Sequence, residues 1–333
     1  MIRRRVLALT AILPLAVLAA GCSSGGEPAA GPGRITIGFS AWPGWFPWQV
    51  AAEQGLFTKH GLDVELKYFD SYTDSLTALS TGNLTANSQT LNDTLSSVSG
   101  GAQQTIVLVN DNSTGNDQII AAPGINAVAD LKGKRVAVEQ GTVDHYLLLL
   151  ALEKAGLTQS DIELKPLLTD AAAAAFVAGQ VDAVGVFAPF TSTALQLPGS
   201  KAIATSADFP GAIPDHLVFD AGFVRDHGDT VQAVVQTWFD TLAWIEVNPD
   251  KAMDIMAKRA GVSAADYRGY DAGTTIFSRE QNLAAFESGD TPANLDHQAR
   301  SIAEFLVEAK LVDTMPPLDG LLESRFVRAV AAS

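Results

Sequence analysis

Trp42, Trp45 and Trp48, three of the five tryptophans in the chain, fall within one stretch, Trp42-Pro43-Gly44-Trp45-Phe46-Pro47-Trp48. Indole faces attract cations by roughly 0.5–2 kcal/mol each, and a Pro/Gly-rich loop full of indoles is costly to leave in water. The rings therefore either plug their own lobe or wall a ligand cage. A second set of side chains has the complementary chemistry. Asp93, Asp111, Asp117, Glu139, Asp144 and Asp215 lie in segments expected to follow or connect strands, and those segments carry neither Lys nor Arg. A helix N-terminus can bind an anion through backbone N–H groups alone, but five or six carboxylates around it oppose that, and a desolvated carboxylate needs a partner. Charge thus points to a small cation as ligand. The expected ligand set is Trp42, Trp45 and Trp48 with Asn92, Asp93, Asp117, Glu139, Thr142, Phe187 and Asp215. Competing readings stand beside it: Asn92 or Asp93 as a helix N-cap, Glu139 as a solvated or capping acid, Phe187 as packing, and Asp144 and His145 as first-turn residues of a helix.

The elements that must position these groups follow from periodicity. Ile35, Ile37 and Phe39 alternate with Thr36, Gly38 and Ser40 as a strand. A helix-like stretch, 50–57, and a second strand, 62–69, complete a βαβ unit. Strands are also expected at 105–109, 135–138, 162–164, 183–187 and 217–221, while 84–87 and 118–122 are short segments, the latter apolar, to which no type is assigned. Helices are expected at 73–79, 94–98, 143–155 and 171–177, and beyond residue 230 at 231–247, 251–259 and 298–310. Such alternation predicts an α/β fold with mostly parallel sheets covered on both faces, in which ligands bind outside the carboxyl ends of strands.

Several function classes are excluded. The formal charge of −15, from 22 basic and 37 acidic residues, repels phosphate backbones, so no nucleic-acid partner is expected. A single cysteine cannot form an internal disulfide, a zinc cluster or an iron–sulfur site. Asn110 to Asp117 does not meet the spacing of a calcium loop. The chain has no Gly-rich phosphate fingerprint, Walker lysine, His-Glu-x-x-His or Gly-x-Ser-x-Gly, so neither enzymatic activity nor a cofactor is expected.

At the N-terminus, Arg3, Arg4 and Arg5 precede an apolar run, Val6 to Leu18, and then Ala19-Ala20-Gly21-Cys22. That order of basic, apolar and small residues is a secretory leader, 1–21, too short to span a ~30 Å hydrocarbon layer. It resembles a bacterial lipoprotein signal with Cys22 as the lipidated residue, departing from it in Ala19. Cleavage there removes three arginines and no acid, leaving −18. Residues 22–33, rich in Gly, Ser, Pro and Ala, form a tether.

The chain from Arg34 onward resembles the nitrate/sulfonate/taurine-binding and thiamine-precursor family of type II periplasmic-binding folds. The resemblance is carried by Ala51-Ala52-Glu53-Gln54-Gly55-Leu56-Phe57 with Gly61-Leu62-Asp63-Val64, by Asp130-Leu131-Lys132-Gly133-Lys134-Arg135-Val136-Ala137-Val138, and by Ala178-Gly179-Gln180-Val181-Asp182-Ala183. It implies a two-lobed protein, with 34–121 and 217–333 as one lobe, 122–216 as the other, and a ligand cleft between them. It also implies an extracytoplasmic solute-binding lipoprotein, held to the outer face of the cell membrane through Cys22, serving an ABC permease and ATPase. Phe39 to Trp48, Asn110 to Asp117 and Glu139 to His145 resemble the branch linked to urea-carboxylase-type gene clusters, for which guanidinium is the implied cargo. Sulfonate, taurine or nitrate, and urea or a thiamine precursor, are the alternatives within the family.

Overall fold

The computed structural model describes residues 33–330. The expected leader, Cys22 and all but the last residue of the tether lie outside the described residues. Two sheets organise the chain. The strands are β1 (Ile35–Phe39), β2 (Val64–Tyr68), β3 (Ala86–Thr90), β4 (Gln104–Ser113), β5 (Asp117–Ala121), β6 (Arg135–Val138), β7 (Glu163–Pro166), β8 (Ala183–Phe187), β9 (Lys201–Thr205), β10 (Pro214–Asp220) and β11 (Thr274–Ile276). The first sheet has the order β11-β4-β10-β3-β1-β2 and the second β7-β6-β8-β5-β9. In the first sheet β1 to β4 point one way and only β10 and β11 oppose them; in the second, β5 alone opposes its neighbours. Most strands of each sheet thus share one direction, but the sheets are mixed rather than mostly parallel: five of the nine pairings are antiparallel, because β5 and β10, the first strand after each crossing between lobes, run against their neighbours and β11 runs against β4.

β4 and β8 are buried along their whole length, as expected for strands covered on both faces. The helices Val143–Lys154 and Thr169–Val177 pack on the second sheet, and Gly228–Val247 and Leu295–Glu308 return to pack on Pro47–Glu53 and Leu91–Ser99 of the first lobe. The two crossings run side by side, tied by Ser206, whose Oγ lies 2.7 Å from Ser113 Oγ and accepts from the Gly115 N–H at 2.7 Å. Asp117–Ala121, placed in the first lobe by the expected boundary at 121, pairs instead with β8 and β9 in the second sheet.

Five local expectations are corrected. Pro47 does not prevent a helix; it occupies the first turn of Pro47–Glu53, where its missing N–H costs nothing. The strand around Asn87 continues through Ser88, Gln89 and Thr90, polar yet fully buried. Most of its amides and hydroxyls bond to neighbouring polar side chains: Asn87 donates to Ser75 Oγ at 3.2 Å and Gln89 to Thr94 Oγ1 at 2.9 Å, while Asn87 Oδ1 meets no protein donor among the described residues. Thr90, not Asn92 or Asp93, then caps Leu91–Ser99, its Oγ1 accepting from the Asp93 N–H. Likewise Asn110 to Ser113 is not a loop but the buried end of β4, and Asp215 lies inside β10 rather than before it.

Candidate functional site

The strand ends bring four aromatic rings into a closed circuit between the sheets. Trp42 and Trp45 leave the end of β1, Tyr72 opens the helix Tyr72–Ser80, and Phe187 ends β8. Ring centroids are 6.4 Å apart for Trp42 and Trp45, 5.6 Å for Trp45 and Tyr72, 6.2 Å for Tyr72 and Phe187, and 6.3 Å for Phe187 and Trp42. They wall a cavity of ≈ 10 Å³ whose lining also includes Thr90, Asp117, Val143 and Asp215. No Lys, Arg or His contributes to it. An outer pocket shares Tyr72 and Phe187 and is lined by Asp70, Glu139, Thr169 and Asp170. A volume near that of one water-sized sphere holds about one water, so any larger ligand requires the walls to move apart. A larger groove of ≈ 410 Å³ elsewhere, between Pro210, Phe277 and Gln298, has no ionisable side chain in its lining.

Strand register concentrates the acids. Across the first sheet, Thr90 of β3, Asp215 of β10 and Asp111 of β4 are direct neighbours, and Asp117 opens β5 opposite Phe187. Like charges directly opposite in a sheet are destabilising, so the Asp111–Asp215 pairing costs stability unless a proton or a cation lies between the two groups. Asp111 accepts from the Trp42 indole N–H at 2.8 Å. Asp215 is 1% exposed and its carboxyl group meets only that of Asp111, with which it shares a hydrogen bond, while Asp117 Oδ2 and Asp144 Oδ1 meet no protein donor among the described residues.

Burial raises the carboxyl pKa values of Asp93 and Asp117 to about 7. For Asp93, hydrogen bonds from Thr90, Tyr72 and the Val143 N–H act the other way, and the Glu139 charge adds to the rise. Burial, reinforced by Asp117 and Glu139, pushes Asp144 well up, and burial with the charges of Asp111 and Asp117 does the same to Asp215. Without a cation these acids cannot all ionise. The site is a store of acceptors held at the edge of ionisation.

Of the expected ligand set, Trp42, Trp45, Asp117, Phe187 and Asp215 line the inner cavity, with Asp93 behind Thr90, to whose Oγ1 it is joined at 2.7 Å. Trp48 is corrected: it is fully buried, its indole N–H donates to Ser88 Oγ at 2.9 Å, and its ring packs on Trp238 at 4.6 Å and Phe57 at 5.9 Å. The helix begun by Pro47 turns it into the lobe. Asn92 lies outside the lining and donates to Asp93 Oδ1 at 2.9 Å; the Thr142 hydroxyl is used on the Glu139 carbonyl at 2.8 Å. Glu139 belongs to the outer pocket, not the inner one.

Three residues outside the expected set belong to the site. Tyr72 walls it, its hydroxyl hydrogen-bonded to Thr90. Asp111 and Asp144 extend the acid cluster. Asp144 had a readable signal, since its helix is apolar all round, with Val143, Tyr146, Leu147, Leu148 and Leu152 buried, and an acid in such a helix is buried with it. Gly44 is the counterpart of Asp111, because a Cβ there would overlap the Asp111 carboxylate. Gly44→Ala should therefore displace that carboxylate, costing about 1–3 kcal/mol of stability, read as a lowered thermal midpoint.

The comparisons with known proteins agree with this architecture. A binding protein of Brucella abortus (strain 2308) is 28% identical over 281 residues, covering 83% of this chain and 86% of that one. The taurine-binding periplasmic protein of Escherichia coli (strain K12) is 27% identical over 296 residues, covering 85% and 89%. Among solved structures, the alkanesulfonate-binding protein SsuA from Xanthomonas axonopodis pv. citri, bound to MOPS, superposes with a TM-score of 0.76 at 21% identity over 89% of this chain and all of that one, so the fold is that of periplasmic binding proteins. The model of the NMT1-like family matches residues 29–261, and by this match, which spans well over half of its length, the chain belongs to the NMT1-like family.

Proposed function

We propose that this protein is the solute-binding component of an ABC importer and that its lobes close on guanidinium or a closely related small planar cation. In this reading Cys22 carries a lipid that holds the protein at the outer face of the membrane, and the permease and ATPase receive the cargo. The observation that carries the ligand assignment is a base-free, ring-walled cavity facing buried carboxyl oxygens that meet no protein donor. Guanidinium is planar, always charged and offers N–H donors in forks that carboxylates accept bidentately, while indole and phenol faces cover its plane.

A second reading, an anion such as taurine or a sulfonate, draws on the relatives named above and on one local feature: the buried Trp45 indole N–H has no protein acceptor. What opposes it is the helix Val143–Lys154, whose N-terminus is the natural anion seat. There the Val143 N–H already favours the ionised Asp93 carboxyl group.

Calorimetric titration with guanidinium, methylguanidine, urea, taurine and nitrate tests the assignment. Four heavy atoms at a ceiling of ~1.5 kcal/mol each give about −6 kcal/mol, a Kd of roughly tens of micromolar. Urea, the neutral analogue of the same shape, is expected to bind about 100-fold more weakly, since charge-assisted hydrogen bonds contribute ~1.5–3 kcal/mol. Heat from taurine or nitrate with none from guanidinium would reverse the assignment.

A further inference from the structure

Glu139 sits where a ligand-gripping acid is expected, yet its oxygens are already engaged. Oε1 accepts from the Thr73 backbone N–H at 3.2 Å and from Thr73 Oγ1 at 2.5 Å. Oε2 accepts from the Thr169 N–H at 3.3 Å and from Thr169 Oγ1 at 2.7 Å. Four donors use about the full capacity of one carboxylate. Both pairs also come from the first turns of helices, Tyr72–Ser80 and Thr169–Val177, where free N–H groups favour a negative charge.

The two donor pairs belong to different lobes. Thr169 shares the second sheet's lobe with Glu139, whereas Thr73 lies on the helix that packs on β1 and β3 of the first. Thr73 is exposed and lines neither the inner nor the outer pocket, while Glu139 is 4% exposed. Parting the lobes breaks the Thr73 half and leaves the Thr169 half intact, so Glu139 remains aimed at its first-lobe partner. Closure through Thr73 also brings its neighbour Tyr72 against Phe187, completing the circuit of rings across the cleft.

We infer that Glu139 is a closure latch, a positioning residue that binds the first lobe through Thr73 and holds the cavity shut, rather than a group that grips the ligand. The inference deepens the receptor reading in its affinity arm, while its closure arm needs no ligand. Small-angle X-ray scattering of the ligand-free protein should show a larger radius of gyration for Thr73→Val and for Glu139→Gln than for the unmodified chain, with Thr73→Ser, which keeps the donor, restoring the compact value. In calorimetry with guanidinium and urea, Thr73→Val and Glu139→Gln should each weaken guanidinium about 5- to 10-fold and leave the guanidinium-to-urea ratio unchanged. The double variant should lose little more than either single one, because both break the same contact.

Unchanged scattering in both variants overturns the latch. So does a loss of affinity or of discrimination in Glu139→Gln that Thr73→Val does not share, which would make Glu139 a ligand group. If guanidinium fails to bind at all, the ligand assignment falls, and the scattering comparison still decides the latch.

Discussion

Asp215→Asn should cost guanidinium binding about 100- to 1000-fold and, at the same time, raise the thermal midpoint of the ligand-free protein. The two effects have one origin. Asp215 is fully buried, faces Asp111 directly across β10 and β4, and has no partner but the Asp111 carboxyl group. A cation that donates a fork to it makes two charge-assisted hydrogen bonds of ~1.5–3 kcal/mol each, and asparagine keeps the shape but loses the charge. In the empty protein the same substitution removes one member of a crowded acid pair, a gain of about 1–2 kcal/mol in the sense of a stability–activity trade-off. Calorimetry and thermal melts on the same sample at pH 8 check both signs. A variant that loses stability together with affinity would make Asp215 a structural residue.

The acids make the second large effect one of pH. Asp93 and Asp117 titrate near 7 in the folded chain and near 4 when unfolded, and Asp111, Asp144 and Asp215 are displaced in the same direction. A raised carboxyl pKa means that between about pH 4 and 7 the folded state holds protons which the unfolded state has released. Ligand-free stability must then fall with rising pH over that window, by up to about 1.4 kcal/mol per pH unit for each group, the contributions of Asp93 and Asp117 levelling off above it. Cation affinity runs the opposite way, because the cation selects the ionised form. Between pH 5.5 and 8 guanidinium should bind at least 10-fold more tightly at the upper end, with protons released on binding. Titrations near pH 6.5 in buffers of different ionisation enthalpy measure that release; affinity and stability that are both flat over this range would place the acids outside the site.

Much of this was legible from residue types alone. Alternation located most strands of both sheets but not the edge strands β9 and β11, and the contrast between indoles, acids and absent bases pointed to the cavity now seen between Trp42, Trp45, Asp117 and Asp215. What was not legible depends on register and direction. Asp111 and Asp215 lie far apart in sequence and become neighbours only because β10 returns antiparallel between β3 and β4, a pairing that periodicity cannot specify. The place of Trp48 is not legible because the Pro/Gly-rich stretch reads as a loop to its end, whereas Pro47 begins a helix, and that single change swings the ring from cleft to core. Glu139 was placed correctly between the lobes, but the four donors around it come from threonines that carry no signal in sequence.

The closed circuit of Trp42, Trp45, Tyr72 and Phe187 has a further consequence for a receptor working in salty surroundings. Sodium, potassium and calcium outnumber any scarce nutrient cation by orders of magnitude, and carboxylates alone would fill with them. Hard ions need oxygen on all sides, and on the faces of this cavity built from rings they find carbon instead. A flat, weakly hydrated ion loses nothing there, since its own faces seek such surfaces. In the cation-binding reading proposed above, the rings would turn an acid-rich crevice from a general ion exchanger into a sieve that works by hydration, rejecting the common ions for the water they would have to give up.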